Sequence, residues 1–341
     1  MGREHGAGVN LTAVQARRAR WASQLLGGSA LTPAQVVDRA VALQGQDLPA
    51  VLRAIAIRST PGTTIDDVRA AFDRGEIVRS WPVRGTLFAT TPQHLANLLS
   101  LTAERIHRST IARRAQLGLD DATLARALEV APRGATRAEV LDAWESAGLD
   151  PAGGRGYHMI FHHAVGGSWH WGAFRGDQQL LVPAAARAAD PDPLPAIVRG
   201  LATARGPVTE NDLAWWLKLP KTAVRRALGG LTEVAVEGER AWIAGEIADP
   251  GDTGVTLIPG FDEWILGYER REFTATSAMQ KALVPGNNGV FRPAILVDGV
   301  AVGTWQHRSK TRREATFELV EKVPAATAKR IARVIDAWPH V

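Results

Sequence analysis

Apolar and polar positions along the chain follow two periods, a helical one and a two-residue one confined to short paired runs. Residues 12–26, TAVQARRARWASQLL, place Val14, Trp21, Leu25 and Leu26 on one side of a predicted helix that Gly27-Gly28 ends. A second helix is predicted from Thr32, with Pro33 at its first position and Val36, Val37, Ala40, Val41 and Leu43 as its apolar face. A third covers about 50–58, and a fourth starts near Thr64 with Val68, Ala71 and Phe72 inward. IVRSWPVRGTLFATT (77–91) then reads as two strands joined around Pro82–Gly85.

Helices followed by a hairpin make the winged helix-turn-helix pattern, and it recurs. Leu124–Val130 and Arg137–Trp144, with Thr123 and Thr136 as caps, and then Tyr157–Val165 precede a hairpin in SWHWGAFRGDQQLLVPA that turns at 175–178. Residues 208–231 open with the capping-box pair Thr209 and Asp212, run through a helix, a turn at 219–221 and a second helix, and lead into strands that turn at Glu237-Gly238. Beyond about residue 251, GVTLIPGFDEWIL, FRPAILVDGVAVGTWQHR and REATFELVEKV alternate as strands, with a hairpin turn at Asp298-Gly299. A sandwich or small barrel is expected there, closed by a helix over Ala325–Trp338. The expected fold is α+β: three tandem winged helix-turn-helix units, then a small C-terminal β-barrel and a terminal helix. The boundaries fall at 1–95, 96–190, 191–250 and 251–341.

Composition narrows the chemistry. The 341 residues include no cysteine, which excludes disulfides, thiolate nucleophiles, zinc fingers and iron–sulfur clusters. No apolar run is long enough to span a bilayer, and MGREHGAGVN lacks a signal-peptide core, so the cytoplasm, at the nucleoid, is the expected compartment and no membrane partner is expected. The net charge of +5 suits a polyanion partner, as it does an arginine-rich composition without one. Basic residues gather in KLPKTAVRRAL (Lys218, Lys221, Arg225, Arg226), around Arg105, His107, Arg108, Arg113 and Arg114, and in HRSKTRR (Arg308, Lys310, Arg312, Arg313). Such residues neutralise phosphates, although the first group reads equally as a solvated helix face. His158 and His162 share a helical i,i+4 spacing near His163 and His170, but the nearest acid in sequence is Asp177 and there is no HExxH, so no metal site is expected. No phosphate loop, GxSxG elbow or Schiff-base lysine motif is present, and no cofactor is expected.

VALQGQDLPA (41–50) is the unusual stretch. Gly45 weakens a helix from within and Pro49 disfavours helical backbone before it, so the helix from Pro33 is expected to end between Gln44 and Asp47. Side chains two residues apart on a regular helix point about 200° apart, so Gln44 and Gln46 share a target only where the helix relaxes. A helix C-terminus with Asp47 beside it favours a developing cation, and a glutamine amide can hold water through both its oxygen and its NH₂. The other reading is two capping glutamines on an exposed helix end.

The Gln44-x-Gln46 pair, RSWPVRGTLF (79–88), FDEWILGYERR (261–271) and FRPAILVDGVAVGTW (291–305) together resemble the AlkZ/YcaQ-type bacterial DNA glycosylases, from about Leu11 to Trp338. The resemblance implies three winged helices and a barrel around a concave DNA-binding face. It implies hydrolysis of the N-glycosidic bond of alkylated purines, N7-alkylguanine or N3-alkyladenine, bulky and crosslinked adducts included, in repair or in self-resistance to a DNA-alkylating natural product. The family motif, Gln-aliphatic-Gln, maps onto Gln44 and Gln46, with Gly45 at the aliphatic position and Asp47 next; some relatives carry Asp as the second polar residue. Gln44, Gln46 and Asp47 are thus the expected catalytic residues. Arg84, Arg105, Arg108, Lys221, Arg225, Arg308, Lys310, Arg312 and Arg313 are the expected contacts to double-stranded DNA. Three dissimilar units in one chain favour a monomer on one site. The alternative is a non-enzymatic winged-helix DNA-binding protein or transcriptional regulator.

Overall fold

Helix starts follow the polar caps that the sequence offers. Thr12, Thr32, Thr64, Thr136 and Thr209 each accept the N–H three residues on, and Gln15, Gln35, Asp67, Glu139 and Asp212 reach back to the cap's own N–H. Each box satisfies helix-end donors that would otherwise be orphaned. The computed structural model describes residues 9–308 and 312–338.

The N-terminal part runs β1 (Asn10–Leu11), α1 (Ala13–Ser23), α2 (Pro33–Ala40), β2 (Ala42–Gln44), α3 (Leu48–Ala56), α4 (Ile65–Asp73), β3 (Val78–Val83) and β4 (Thr86–Thr90). Next come α5 (Pro92–Ser109), α6 (Ile111–Gln116), α7 (Asp121–Val130), α8 (Arg137–Ser146), α9 (Arg155–Val165), β5 (Trp169–Arg175) and β6 (Gln178–Pro183). The hairpins β3–β4 and β5–β6 are not separate: Arg79 pairs with Trp171, and the strands form one sheet of order β2-β4-β3-β5-β6. α10 (Leu194–Arg205), α11 (Glu210–Leu217) and α12 (Lys221–Arg226) lead to β7 (Thr232–Val236) and β8 (Glu239–Ile243), and β1 adds in parallel to β7.

Three expectations are corrected. Val14 is not on the buried face of α1; it is 44% exposed, while Ala16, Ala19 and Arg20 are buried. Arg20 can be buried because it donates to the Pro207 carbonyl at 2.9 Å, lies 3.6 Å from Asp212 and stacks over Tyr268. The cap of α7 is Asp120, which accepts the Thr123 N–H, so Thr123 lies inside the helix. The third correction concerns the C-terminal strands β9 (Val255–Ile258), β10 (Ala294–Val297), β11 (Val300–Gln306) and β12 (Thr316–Leu319). Among the described residues they form an open antiparallel sheet of order β12-β11-β10-β9, not a closed barrel. Helices make closure unnecessary. α13 (Glu263–Leu266) and α14 (Ser277–Leu283) cover one face, where Trp264 and Met279 meet Ala294 and Leu296. α15 (Ala325–Ala337) covers the other, where Ile331 and Ile335 meet Ile295 and Val302. Both faces being buried, β10 reads as an unbroken apolar run.

Fully buried tryptophans anchor successive parts of the chain, and each indole N–H has a partner. Trp144 donates to the Ala127 carbonyl, Trp264 to Gly299, Trp305 to Ile258, and Trp216 to the Glu263 carboxylate at 3.2 Å. Trp216 also meets Phe88 edge-on at 5.5 Å, which ties α11 to the back of β4.

Candidate functional site

The stretch around Gln44 is not the end of a helix. α2 stops at Ala40, and Val41 takes φ 66°, ψ −54°, a tight γ-turn geometry that a β-branched residue adopts only under tertiary constraint. The constraint is visible: the Thr90 hydroxyl donates to the Val41 carbonyl at 2.6 Å, and Arg205 donates to the Ala40 and Ala42 carbonyls at 2.9 and 2.7 Å. The chain thereby turns directly into β2, the edge strand of its sheet, with Gln44 opposite Phe88. Pro49 lies in the first turn of α3, where its missing N–H costs nothing, and Asp47 caps that helix by accepting the Ala50 N–H at 2.8 Å. The negative end of a helix therefore does not underlie this site. It sits between a strand and a helix N-terminus, and its fixed negative charge is the Asp47 carboxylate.

Gln44 is the last residue of β2 and Gln46 lies in the bend that follows, so it is their partners on β4, not a shared strand face, that bring the two amides near each other. The Gln44 amide meets the Thr86 hydroxyl, at 3.4 Å from Nε2 and 3.5 Å from Oε1. The Gln46 Oε1 accepts the Leu87 N–H at 3.3 Å. Both amides thus lie over the first two residues of β4, Gln44 buried and Gln46 exposed. Gly45 has its own reason for being glycine. A Cβ there would lie 3.0 Å from the Ala89 nitrogen and 3.1 Å from the Phe88 carbonyl carbon, so a side chain would require the β4 backbone to give by a few tenths of an ångström. Its carbonyl accepts from Arg79 Nε at 2.6 Å, and Arg79 continues to Gln179 at 3.0 Å. Burial pushes the Arg79 guanidinium down to about 10, partly offset by Asp47, so it stays charged at neutral pH.

Arg79, Thr86, Arg205 and Glu263 were not among the expected site residues. The quoted runs RSWPVRGTLF and FDEWILGYERR contain three of them, but only the folded chain shows what they touch. Of the expected basic residues, Arg84 turns inward. It donates to the Leu266 carbonyl at 3.2 Å, lies over Trp215 and Phe88, and is pushed down to about 10 by burial. Arg84 and Arg105 line a cavity of about 270 Å³ with Ser109, Tyr157, His158 and Phe161. Arg108 pairs with Glu104, and Arg225 forms a fork with Glu210 at 2.7 and 2.9 Å. Lys221, the first residue of α12, is exposed, as are Arg308, Arg312 and Arg313. Arg312 donates to the His307 carbonyl, and Lys310 lies outside the described residues. His158 and His162 do not form a metal cage: among the described residues no group of three or more metal-ligating side chains is suitably placed. His162 packs 4.6 Å from His107, and burial, reinforced by Coulombic repulsion from His107, His163 and Arg114, pushes it down to about 4. No helix among the described residues is long and apolar enough to cross a membrane.

Relatives put this geometry in context. The family model described as DNA glycosylase AlkZ-like matches residues 37–340. An interstrand DNA cross-link repair glycosylase of Streptomyces sahachiroi is 29% identical over 156 residues, and the match spans 42% of this chain and 42% of that relative. The solved structure of the Streptomyces sahachiroi DNA glycosylase AlkZ has the same fold, with a TM-score of 0.78 over 96% of each chain at 22% identity.

Proposed function

The chain belongs to the AlkZ-like DNA glycosylase family, and on that premise we propose that it hydrolyses the N-glycosidic bond of alkylated purines in double-stranded DNA. The substrates are N7-alkylguanine or N3-alkyladenine, bulky or crosslinked adducts among them, and the role is repair or self-resistance to a DNA-alkylating natural product. The observation that carries this reading is that the Gln44 and Gln46 amides reach neighbouring residues of β4, Thr86 and Leu87. Such a pair can hold one water. An alkylated purine is already cationic: when its C1′–N bond breaks, the electron pair leaves with the base, which departs neutral. The sugar is left oxocarbenium-like, the water oxygen bonds C1′, and the water's proton passes to solvent at the exposed Gln46–Asp47 side. Little acid catalysis is needed; placing the water and countering the charge on the sugar are the remaining tasks. The exposed Asp47 carboxylate supplies the counter-charge, one of its oxygens being held by the helix cap.

We read the three helix–hairpin units as winged helices around a concave DNA face. Lys221, Arg308, Lys310, Arg312 and Arg313 contact phosphates, with Arg84 of the β3–β4 turn and Arg105 lining the cavity beside it, and Arg108 and Arg225 able to exchange their carboxylate partners for phosphate. The protein acts as a monomer at the nucleoid and needs no cofactor. Incubation with duplex DNA bearing one bulky N7-guanine adduct tests this: free modified base and an abasic site are expected. Tight binding without release of base would instead identify a catalytically silent DNA-binding regulator.

A further inference from the structure

Glu263 is buried, lies outside the proposed catalytic pair, and touches it. Its Oε1 accepts the backbone N–H of Gln44 at 3.1 Å, across 219 residues of sequence. Its Oε2 accepts Arg205 Nε at 3.1 Å, Arg205 Nη2 at 2.9 Å and Trp216 Nε1 at 3.2 Å. The same guanidinium holds the Ala40 and Ala42 carbonyls on either side of the strained Val41 turn. β2 is three residues long and sits at the sheet edge, so β4 alone does not fix it. The Arg205–Glu263 pair therefore grips the segment at three backbone atoms, from Ala40 to Gln44. The α13 turn carrying Glu263 also ends in the Leu266 carbonyl that anchors Arg84, two residues before Thr86. β2, which carries Gln44, and the β3–β4 turn, which leads into Thr86, are thus tied to one turn of the C-terminal part.

We propose that Glu263, charge-balanced by Arg205, is a positioning residue for base excision: it sets the backbone of Gln44, and through it the amide that holds the attacking water. This rests on the glycosylase reading. A buried carboxylate whose oxygens all meet donors is rigid, and its charge-assisted bond to an edge-strand N–H is stronger than a water could make there. A displacement of about 1 Å at a reacting group can cost on the order of a hundredfold in rate.

The test is single-turnover excision and duplex affinity for Glu263→Ala, Glu263→Gln and Arg205→Lys, each in the wild-type and Gln44→Ala backgrounds. Glu263→Ala should slow base release about ten- to a hundredfold with duplex affinity kept within threefold. Glu263→Gln should recover part of the loss, because its amide oxygen still accepts the Gln44 N–H while its NH₂ is left facing the donors of Arg205 and Trp216. Arg205→Lys, which keeps the charge but loses the fork, should slow release as well, and serves where Glu263→Ala does not fold. In the Gln44→Ala background none of the three should slow release further. Equal slowing in both backgrounds, or a Gln variant no faster than Ala, overturns the proposal and leaves Glu263 a stability residue. If wild-type protein releases no base, the glycosylase reading fails instead. Amide exchange at Gln44 then decides the positioning role: protection lost in Arg205→Lys and kept in Glu263→Gln supports it, and equal protection in all variants refutes it.

Discussion

Truncating the two glutamines is expected to separate chemistry from folding. The Gln44 amide contacts Thr86 at 3.4–3.5 Å and Gln46 accepts the Leu87 N–H at 3.3 Å, all at the long end of the hydrogen-bond range. Each truncation to Ala should therefore cost no more than about 1 kcal/mol of stability. Rate is another matter. One positioned polar group at a charge-developing centre is typically worth about 10²–10³. A cationic purine needs less help, so about 10–100-fold is expected for each single variant, or roughly 1.4–2.7 kcal/mol at 1.36 kcal/mol per decade. The double variant should lose less than the sum of the two, because one water serves both amides. Gln46→Asp should keep activity, as the family motif allows. The assay is single-turnover release of 7-alkylguanine from duplex DNA, with affinity for the damaged duplex staying within about threefold. If the double variant releases base at the wild-type rate, the stretch is only a strand-to-helix connection and the catalytic reading is wrong.

Four further outcomes are expected. Gly45→Val forces a side chain against β4 at 3.0 Å and should lower stability by about 1–3 kcal/mol while slowing excision; an unchanged denaturation midpoint would contradict the close approach. Arg312→Ala with Arg313→Ala should weaken damaged and undamaged duplex equally and lower the salt slope by roughly one to two units, near 0.9 per phosphate contact; an unchanged slope makes that segment a solvated charge run. Excision should persist in chelator with no borohydride-trapped protein–DNA adduct, and a trapped adduct would replace water with a lysine nucleophile. His162 is held near pKa 4, below its ordinary 6.5, so the unfolded chain takes up the proton first on acidification. Its contribution to stability is therefore complete above about pH 6.5 and drains away as pH falls toward 4. His162→Asn should flatten the fall in denaturant midpoint over that window, and an identical slope would show that the ring is already protonated in the fold.

Much of what closes within a few residues was legible in the sequence, the cap of α7 at Asp120 rather than Thr123 being an exception. The capping boxes at Thr32, Thr64, Thr136 and Thr209 are pairs three residues apart. The hairpin turns at Glu237-Gly238 and Asp298-Gly299 carry their own positive φ values, 49° and 80°, and 48° and 76°. Long-range choices were not legible. Gly45 and Pro49 suit a helix end and a strand-to-helix connection equally, since proline is at home both after a helix and in the first turn of the next. The β4 edge decided the matter: it accepts the Gly45 N–H through Leu87 at 2.8 Å and packs within 3.0 Å of where a Cβ would stand. The pairing of β1 with β7 and the joining of two hairpins into one sheet depend on edges that meet only after the helices pack. The C-terminal strands alternate as barrel strands do, and the helices on both faces left them an open sheet. Residue type and spacing made Gln44 and Gln46 candidates for holding water, with two capping glutamines as the other reading, and the family resemblance made them the expected catalytic pair. That they face the same strand, held by a carboxylate 219 residues away, is a property of tertiary hydrogen bonds that no local pattern encodes.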